Sequence, residues 1–352
     1  MMLCRWLLAA LLCLAASAAG DASLLRGGGG VAAAYTDFCS EGFVAGSCTY
    51  AYDLEQRIVS TNTIPFQLTR LSDSATLNAG YTGSTFAVNV SALTTFCLGN
   101  GGTTTAETYS TQYNDCVFTT VYEQTGSGCD LVSGGPSTLG TTHAPFLQIR
   151  TSDGLPAIIQ QGQSSAQTAA GWPATNNSAK WLYKNGCASL DGGVARTLVG
   201  RGNNAYFSTC CGQYGKIETA PAPGNTPAGA MYAVIFFDDG GMADYEADIE
   251  GGGVCSNPTT TTFSPIIDDV GVISYSATAG GSNTFLNDTL LGTANCTPHS
   301  AIATQDGMVI GCSGDYTSCG PIYFRGMVFL NIDVTLTAGL HTQIYNYLAA
   351  LP

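Results

Sequence analysis

Short runs rich in valine, isoleucine, threonine, tyrosine and phenylalanine alternate with clusters of glycine, asparagine, aspartate and proline along most of this 352-residue chain. The runs are typical of β-strands, and the clusters are typical of turns. Clear examples of the runs are residues 116–122, 231–237, 271–275 and 322–330. Apolar residues at helical spacing are scarce, and only residues 337–351 have enough of them for a helix. The pattern therefore predicts an all-β chain that folds as an antiparallel β-sandwich.

The first residues have the features of an export signal. Arg5 provides the basic flank, an apolar run covers residues 6–14, and Ala16-Ser17-Ala18 offers a cleavage site of small residues. We predict a signal peptide at residues 1–18, a flexible lead-in at 19–34 and a single domain at 35–352. No later segment has the roughly 18 consecutive apolar residues of a membrane-spanning helix. The chain is thus expected to be secreted and extracellular, without a membrane partner.

The cysteines indicate a disulfide-bonded chain. Two of the 14 cysteines fall in the predicted signal. The rest form an even set, as expected when the thiols of an exported protein pair with one another. Sequons that are candidate glycan sites on loops occur at Asn89, Asn176, Asn287 and Asn295.

Cys210 and Cys211 are adjacent, so a disulfide between them could add little to the stability of the fold. A disulfide stabilises chiefly by closing a long loop of the unfolded chain, and neighbours close almost none. Their Cα atoms are about 3.8 Å apart, below the usual disulfide range of roughly 4.4 to 6.8 Å, so the bond would be strained. Either the two cysteines pair with distant partners, or a strained ring is present for its shape.

The charge balance narrows the class of ligand. A formal charge of -14 with only 11 lysine and arginine residues disfavours nucleic acids and anionic membranes, because phosphate contacts require cationic side chains. A neutral ligand such as a polysaccharide is favoured instead. The histidines His143, His299 and His341 are far apart and lack metal-ligand spacing, and no glycine-rich loop has phosphate-binding context. We expect no metal and no cofactor.

One segment concentrates acidic residues at strand spacing. In residues 244–250, Asp244, Glu246, Asp248 and Glu250 alternate with apolar or aromatic residues. On a strand all four would share one face. Repulsion among them would raise the pKa of some carboxyls, as acid catalysis requires. A solvated outer face and a calcium site are alternatives. The glycines that follow at 251–253 favour a site that a ligand approaches closely.

Glycoside hydrolysis requires a second carboxyl group from elsewhere in the chain. Asp315 lies in a short loop flanked by Cys312 and Cys319, just before the strand predicted at 322–330. A turn aspartate held by local hydrogen bonds is the alternative interpretation of Asp315. The remaining candidates for the second acid are Asp238, Asp239, Asp268, Asp269 and Asp306.

Several motifs occur in the order found in a known enzyme family. A small cysteine loop at residues 39–48 comes first, and FQLTR follows at 66–70. Phe96-Cys97 then precedes residues 116–131, which read CVFTTVYEQTGSGCDL, and residues 210–219 read CCGQYGKIET. Together they resemble the catalytic domain of the α-L-arabinofuranosidase B family, glycoside hydrolase family 54, whose segments read YQLQR, IYDQSGNGNHL and CCFDYGNAET. The resemblance spans almost the whole chain after the signal.

The resemblance implies a lectin-like β-sandwich of jelly-roll type. It implies a secreted, retaining, exo-acting α-L-arabinofuranosidase that releases terminal arabinofuranose from arabinan and arabinoxylan. It also implies that Cys210 and Cys211 bond to each other and form one wall of the sugar pocket.

The site residues follow from the same resemblance. The family's Asp-x-Glu strand end implies a substrate-contacting acid at Asp248 and the nucleophile at Glu250. Its Gly-Gly-Asp loop implies the general acid/base at Asp315, directly after Gly314. Substrate contacts are thus expected at Cys210, Cys211, Asp248, Gly251 and Gly314.

This chain also departs from the family pattern. Gly251 and Gly252 replace two asparagines that follow the nucleophile, and the stretch from Cys211 to Glu250 lacks the family's pocket tryptophan. We expect no arabinose-binding module, which often follows in that family, after the sandwich. A monomeric enzyme acting on a plant-type or algal polysaccharide is expected. The alternative is a non-hydrolytic carbohydrate-binding or cell-surface or wall glycoprotein on the same sandwich.

Overall fold

The computed structural model describes a large part of the chain after the predicted lead-in. For most strands between residues 183 and 310 it describes the backbone alone. The predicted signal peptide, the lead-in and the sequons at Asn176, Asn287 and Asn295 lie outside the described residues, so they stay predictions. The described residues are 37–59, 63–82, 87–107, 110–133, 144–159, 182–187, 196–204, 212–217, 231–238, 243–250, 255–257, 271–278, 281–286, 288–294, 306–310, 322–332 and 339–350.

β-Strands account for most of the described residues. The strands predicted at 231–237, 271–275 and 322–330 are present as β14, β17 and β21, and the one predicted at 116–122 belongs to β7. The strands are β1 Cys48–Asp53, β2 Phe66–Arg70, β3 Thr76–Asn78, β4 Tyr81–Thr82, β5 Ala87–Val88, β6 Thr104–Ala106, β7 Ser110–Val121, β8 Leu131–Ser133, β9 Phe146–Arg150, β10 Pro156–Ile159, β11 Leu182–Cys187, β12 Arg196–Asn204, β13 Gly212–Ile217, β14 Met231–Asp238, β15 Ala243–Glu250, β16 Cys255–Asn257, β17 Gly271–Thr278, β18 Gly281–Leu286, β19 Thr289–Ala294, β20 Asp306–Ile310 and β21 Ile322–Leu330.

The strands pair in two groups joined by β9 and β10. In the first group, β21 lies between β12 and the pair β1 and β10, and β17, β18 and β19 follow beyond β12. In the second, the order is β3, β2, β7, β8, β11, β20, β13, β14, β15 and β16. Each pairing among the described strands is antiparallel, which confirms the predicted antiparallel all-β architecture.

The larger hydrophobic core is rich in aromatic side chains from β1, β2, β7 and β21. Phe66 and Phe118 lie with ring centroids 5.0 Å apart, and Tyr50 meets Phe329 edge to face at 6.1 Å. These four side chains are buried. Burial of each such ring stabilises the fold by about 1.5–3 kcal/mol, and the paired geometry adds to this.

A helix that the sequence analysis did not predict, α1, spans Val90–Leu98. Its run of valine, threonine and phenylalanine resembles a strand, so the prediction that only residues 337–351 could be helical was wrong. Local and tertiary contacts decide the outcome: the side chain of Asn89 accepts a hydrogen bond from the amide of Ala92 at 3.1 Å, which satisfies a free N–H of the first turn. A disulfide between Cys97 and Cys116 fixes α1 against β7.

The predicted C-terminal helix is present as α2, Leu340–Ala349. Its Ile344 and Leu348 are buried in a second core with Phe38, whose ring lies 5.3 Å from that of Tyr347. The Cys39–Cys48 disulfide closes the loop beside this core and confirms the small cysteine loop expected from the resemblance. Among the described residues, no helix has the length and apolar character needed to cross a membrane.

Candidate functional site

The acidic segment forms strand β15, as its alternation predicts. β15 pairs with β14 along its whole length, and Ala247–Ile249 also pairs with β16 on the other side. Residues two apart on a strand share a face, so the backbone places the four acids on the same face of the sheet. The opposite partners in β14 are Phe237 for Asp244, Ile235 for Glu246, Ala233 for Asp248 and Met231 for Glu250.

The group β13–β14–β15 has two distinct ends. At one end, Gly212 lies opposite Phe236, which lies opposite Tyr245. We call this the Gly212 end. At the other, the Ile217 end, Ile217 lies opposite Met231, which lies opposite Glu250. The acids therefore run from the Gly212 end at Asp244 to the Ile217 end at Glu250.

The structure locates only some of the predicted site residues. Asp248 and Glu250 belong to β15. Cys210, Cys211, Gly251, Gly314 and Asp315 lie outside the described residues. The bond between the adjacent cysteines, the approach of Asp315 to β15 and the loop from Cys312 to Cys319 stay predictions.

The segment that resembles IYDQSGNGNHL is a loop anchored by the buried side chain of Glu123. The carboxylate of Glu123 accepts hydrogen bonds from the amides of Ala51 at 2.9 Å and Thr125 at 2.7 Å, and from the amide and hydroxyl of Ser127, each at 2.8 Å. Beside it, the Gln124 side chain accepts from the amide of Ile58 at 2.9 Å. These contacts tie the loop to β1 and to the segment after it. The motif thus has a structural role in anchoring this loop, and the sequence resemblance alone does not distinguish that role from catalysis.

Tyr52 of β1 forms a further hydrogen bond to the same loop. Its hydroxyl donates to the carbonyl oxygen of Cys129 at 2.7 Å. Burial, reinforced by the nearby Glu123 carboxylate, raises the pKa of Tyr52 well above 10.0. The phenol therefore stays neutral at any working pH and acts as a hydrogen-bond donor.

A buried ionic cluster missed by the sequence analysis joins three distant segments. Glu55 and Arg325 are fully buried and form a two-pronged ion pair, in which Nε and Nη2 of the guanidinium donate to the two carboxylate oxygens. Arg150 approaches the same carboxylate, with Nη2 3.2 Å from Oε1, and also donates to Asp153. The available sequence signal was Arg325 within the otherwise apolar strand β21, because a buried arginine requires a partner.

His341 is the one histidine of the chain that the structure describes, and it fastens α2 to the turn after β18. Its Nδ1 lies 2.8 Å from the carboxylate of Asp288, and its ring stacks on Phe285 with centroids 3.9 Å apart. The hydroxyl of Thr342 donates to the same carboxylate at 2.9 Å. Burial lowers the pKa of His341 below its ordinary 6.5, although the hydrogen bond to Asp288 opposes the shift.

The lowered pKa of His341 predicts that the folded protein loses stability in mild acid. Below pH 6.5 the unfolded chain binds a proton at His341 more readily than the folded chain does. The free energy of unfolding should fall as the pH drops below that value. We expect urea titrations of wild type and His341→Gln, at about pH 7 and about pH 5, to show a smaller acid loss for the variant. Equal losses in the two proteins would contradict the expectation.

Comparisons with known proteins bear on the class of the fold. No family model matches the chain. Two solved arabinofuranosidase structures each cover 86% of it. A mutant of a glycoside hydrolase family 54 enzyme, soaked with 4-nitrophenyl α-L-arabinofuranoside, aligns with a TM-score of 0.61, 15% identity and 63% of its own chain covered. An arabinofuranosidase complexed with arabinofuranosyl-α-1,2-xylobiose aligns with a TM-score of 0.57, 14% identity and 62% coverage. The chain has the β-sandwich fold of these enzymes.

A sequence relative points to the same family. The chain is 26% identical over 221 residues to the probable α-L-arabinofuranosidase B of Aspergillus terreus, which is 59% of this chain and 37% of that protein. The match thus spans little more than a third of the relative. The sequence match and the shared fold support the resemblance to the glycoside hydrolase family 54 α-L-arabinofuranosidases.

Proposed function

We propose that this chain is a secreted, retaining, exo-acting α-L-arabinofuranosidase that releases terminal arabinofuranose from arabinan- or arabinoxylan-type polysaccharides. The observation that carries the proposal is the sandwich shared with such enzymes over 86% of the chain. An acidic strand, β15, lies within that sandwich. The relative that matches in sequence bears the same activity in its name.

The proposed reaction is a double displacement at the anomeric carbon. A glutamate of β15, which the sequence resemblance assigns to Glu250, forms a bond to that carbon as the glycosidic carbon–oxygen bond breaks. Asp315 gives its proton to the departing oxygen, then takes a proton from the water that hydrolyses the resulting ester. Retention requires the two carboxyl groups to be about 5 to 5.5 Å apart.

The other predicted residues shape the pocket. Asp248 would hold a sugar hydroxyl, and bonded Cys210 and Cys211 would give a stiff, weakly polar wall beside the furanose ring. Gly251 and Gly314 would let the sugar approach the backbone closely. The acidic composition suits a neutral sugar, because a carboxylate accepts hydrogen bonds from hydroxyl groups without needing a charged partner.

Hydrolysis of 4-nitrophenyl glycosides tests the proposal. We expect the purified chain to release nitrophenol from the α-L-arabinofuranoside, with matched pyranosides as controls. Proton NMR at early times should show the α-configured sugar first, as retention demands. A β-configured first product would overturn the retaining mechanism, and lack of turnover on every glycoside would overturn the enzyme assignment.

A binding protein on the same sandwich is the second candidate. Gly251 and Gly252 replace two asparagines of the family pattern, which removes amide groups that could hold sugar hydroxyls. This candidate predicts binding of arabino-oligosaccharides in calorimetry without any release of arabinose. The binding measurement and the hydrolysis assay can both be made on the same purified protein.

A further inference from the structure

Cys129 belongs to a disulfide whose partner can be inferred from the register of the strands. Its sulfur is disulfide-bonded, but both described bridges join other cysteines. Of the cysteines that remain, Cys187 and Cys255 lie on described strands, β11 and β16. The others that follow the predicted signal lie outside the described residues.

The position of Cys129 is fixed by the loop around Glu123. The hydroxyl of Tyr52 holds the carbonyl oxygen of Cys129, and the amide of Glu123 donates to the carboxylate of Asp130 at 2.9 Å. The side chain of Cys129 is buried in the larger core, two residues before the start of β8 at Leu131. A sulfur held in this way bonds to a cysteine that the fold brings beside it.

The register of β8, β11 and β20 places Cys187 level with Cys129. Leu182, the first residue of β11, lies opposite the last residues of both β8 and β20. Cys187 lies opposite Asp306, which is four residues before the end of β20. Cys129 is likewise four residues before the end of β8. Continued to Cys129, the register therefore sets it opposite Cys187.

A bulge in β11 produces this match. The register against β20 shifts by one residue between Lys184 and Cys187. Without that shift, Gly186 would be level with Cys129, and Cys187 would fall on the other face of the sheet. Residues opposite each other on antiparallel strands share a face, with Cα atoms about 4.5 to 5.5 Å apart. That separation is within the disulfide range of about 4.4 to 6.8 Å.

Cys255 is too distant to be the partner. It lies on β16, opposite Ile249 of β15. From β8 the sheet continues through β11, β20, β13, β14 and β15 before it reaches β16. At about 4.8 Å for each strand, β16 is about 29 Å from β8 along the sheet. A disulfide requires Cα atoms less than about 7 Å apart.

We propose that Cys129 and Cys187 are bonded to each other and clamp β11 to the loop around Glu123. Two residue pairs join β8 to β11, and through β11 the sheet continues to the acidic strand β15. The bond fastens that part of the sheet covalently to the larger core. Its formation takes two protons and two electrons from the thiols, and a disulfide oxidant accepts them as it becomes two thiols.

The clamp is a feature of this chain that the family segment IYDQSGNGNHL does not share. In that segment an asparagine occupies the position that Cys129 has here. The proposal therefore does not depend on the proposed function, and it can be tested on the protein without any substrate.

Peptide mapping of the unreduced wild-type chain tests the pairing. Free thiols are alkylated in the unfolded protein under mildly acidic conditions, which suppress exchange, and trypsin then cuts after lysine and arginine. We expect residues 71–150 to be linked to residues 185–196, in which Cys187 is the sole cysteine. Chymotryptic cleavage after Phe118 or Tyr122 then separates Cys129 from the other cysteines of its peptide. A link from Cys129 to any other peptide, or an alkylated Cys187, would overturn the proposal.

Alanine variants test whether the two sulfurs act as one clamp. Because a single bond uses both, Cys129→Ala, Cys187→Ala and the double variant should lower the unfolding temperature by similar amounts, at least about 5 °C. Cys39→Ala with Cys48→Ala is the matched control. It opens a much shorter loop and should have a smaller effect. Additive losses in the double variant would overturn the pairing, and an unchanged unfolding temperature would overturn the clamp.

Discussion

Replacing Glu55 by glutamine is expected to destabilise the folded protein by about 3 to 5 kcal/mol. The side chain keeps its size but loses its charge, in a place without access to water. The buried guanidinium of Arg325 then loses its nearest carboxylate, although Oδ2 of Asp153 lies 4.0 Å from its Nη2, and Arg150 loses Glu55 but retains its ion pair with Asp153. Breaking one member of a buried ionic cluster is costly because the remaining charge stays desolvated. Urea unfolding with the disulfides intact would measure the change.

Asp73→Asn is the matched control for this experiment. Asp73 makes the same kind of two-pronged contact, with Nε of Arg70 at 3.0 Å and Nη2 at 2.5 Å, but at the surface. The hydrogen bond from Arg70 lowers the pKa of Asp73. Water and salt screen this pair, so its loss should change the unfolding midpoint much less. If the two variants shift the unfolding midpoint equally, burial does not explain how much the Glu55 cluster stabilises the fold.

Gly326→Ala is expected to cost about 3 kcal/mol or to prevent folding. A Cβ atom on Gly326 would stand 2.6 Å from Oδ2 of Asp53 and 2.8 Å from the carbonyl oxygen of Tyr52. Asp53 cannot move away freely, because its Oδ1 accepts from the amides of Glu55 at 2.9 Å and Gln56 at 2.8 Å. The added methyl group would push β1 and β21 apart where they pair.

Gly42→Ala serves as the control for this steric effect, since nothing lies within 4 Å of a Cβ built there. We expect that variant to unfold at nearly the wild-type temperature. A Gly326→Ala protein as stable as Gly42→Ala would show that β1 and β21 tolerate a side chain at this position.

The hydrophobic pattern of the sequence predicted β-strands well, but it did not predict the helix α1. β14, β17 and β21 could be located because their apolar runs end at clear turn residues. The helix α1 could not, since its composition favours a strand and its formation depends on the Asn89 cap and the disulfide to Cys116. Such contacts depend on the folded neighbours, which a local window does not include.

The buried cluster was beyond prediction for a related reason. Glu55 and Arg325 are separated by 270 positions, so no local motif connects them. The sequence predicted only part of the candidate site. Alternating acids predicted the shared acidic face of β15, because spacing alone sets which residues share a face of a strand. The position of β15 beside β14, and of β14 beside β13, depends on long-range strand pairing, which no local motif indicates.

Identification of the covalently modified residue tests the central claim most directly. The purified chain would be quenched in acid during turnover of 4-nitrophenyl α-L-arabinofuranoside, digested, and its peptides analysed by mass spectrometry. Acid preserves a glycosyl ester, because its hydrolysis needs the deprotonated general base. We predict one pentosyl group, carried by Glu250 of β15. A pentosyl group on any other residue would contradict the account.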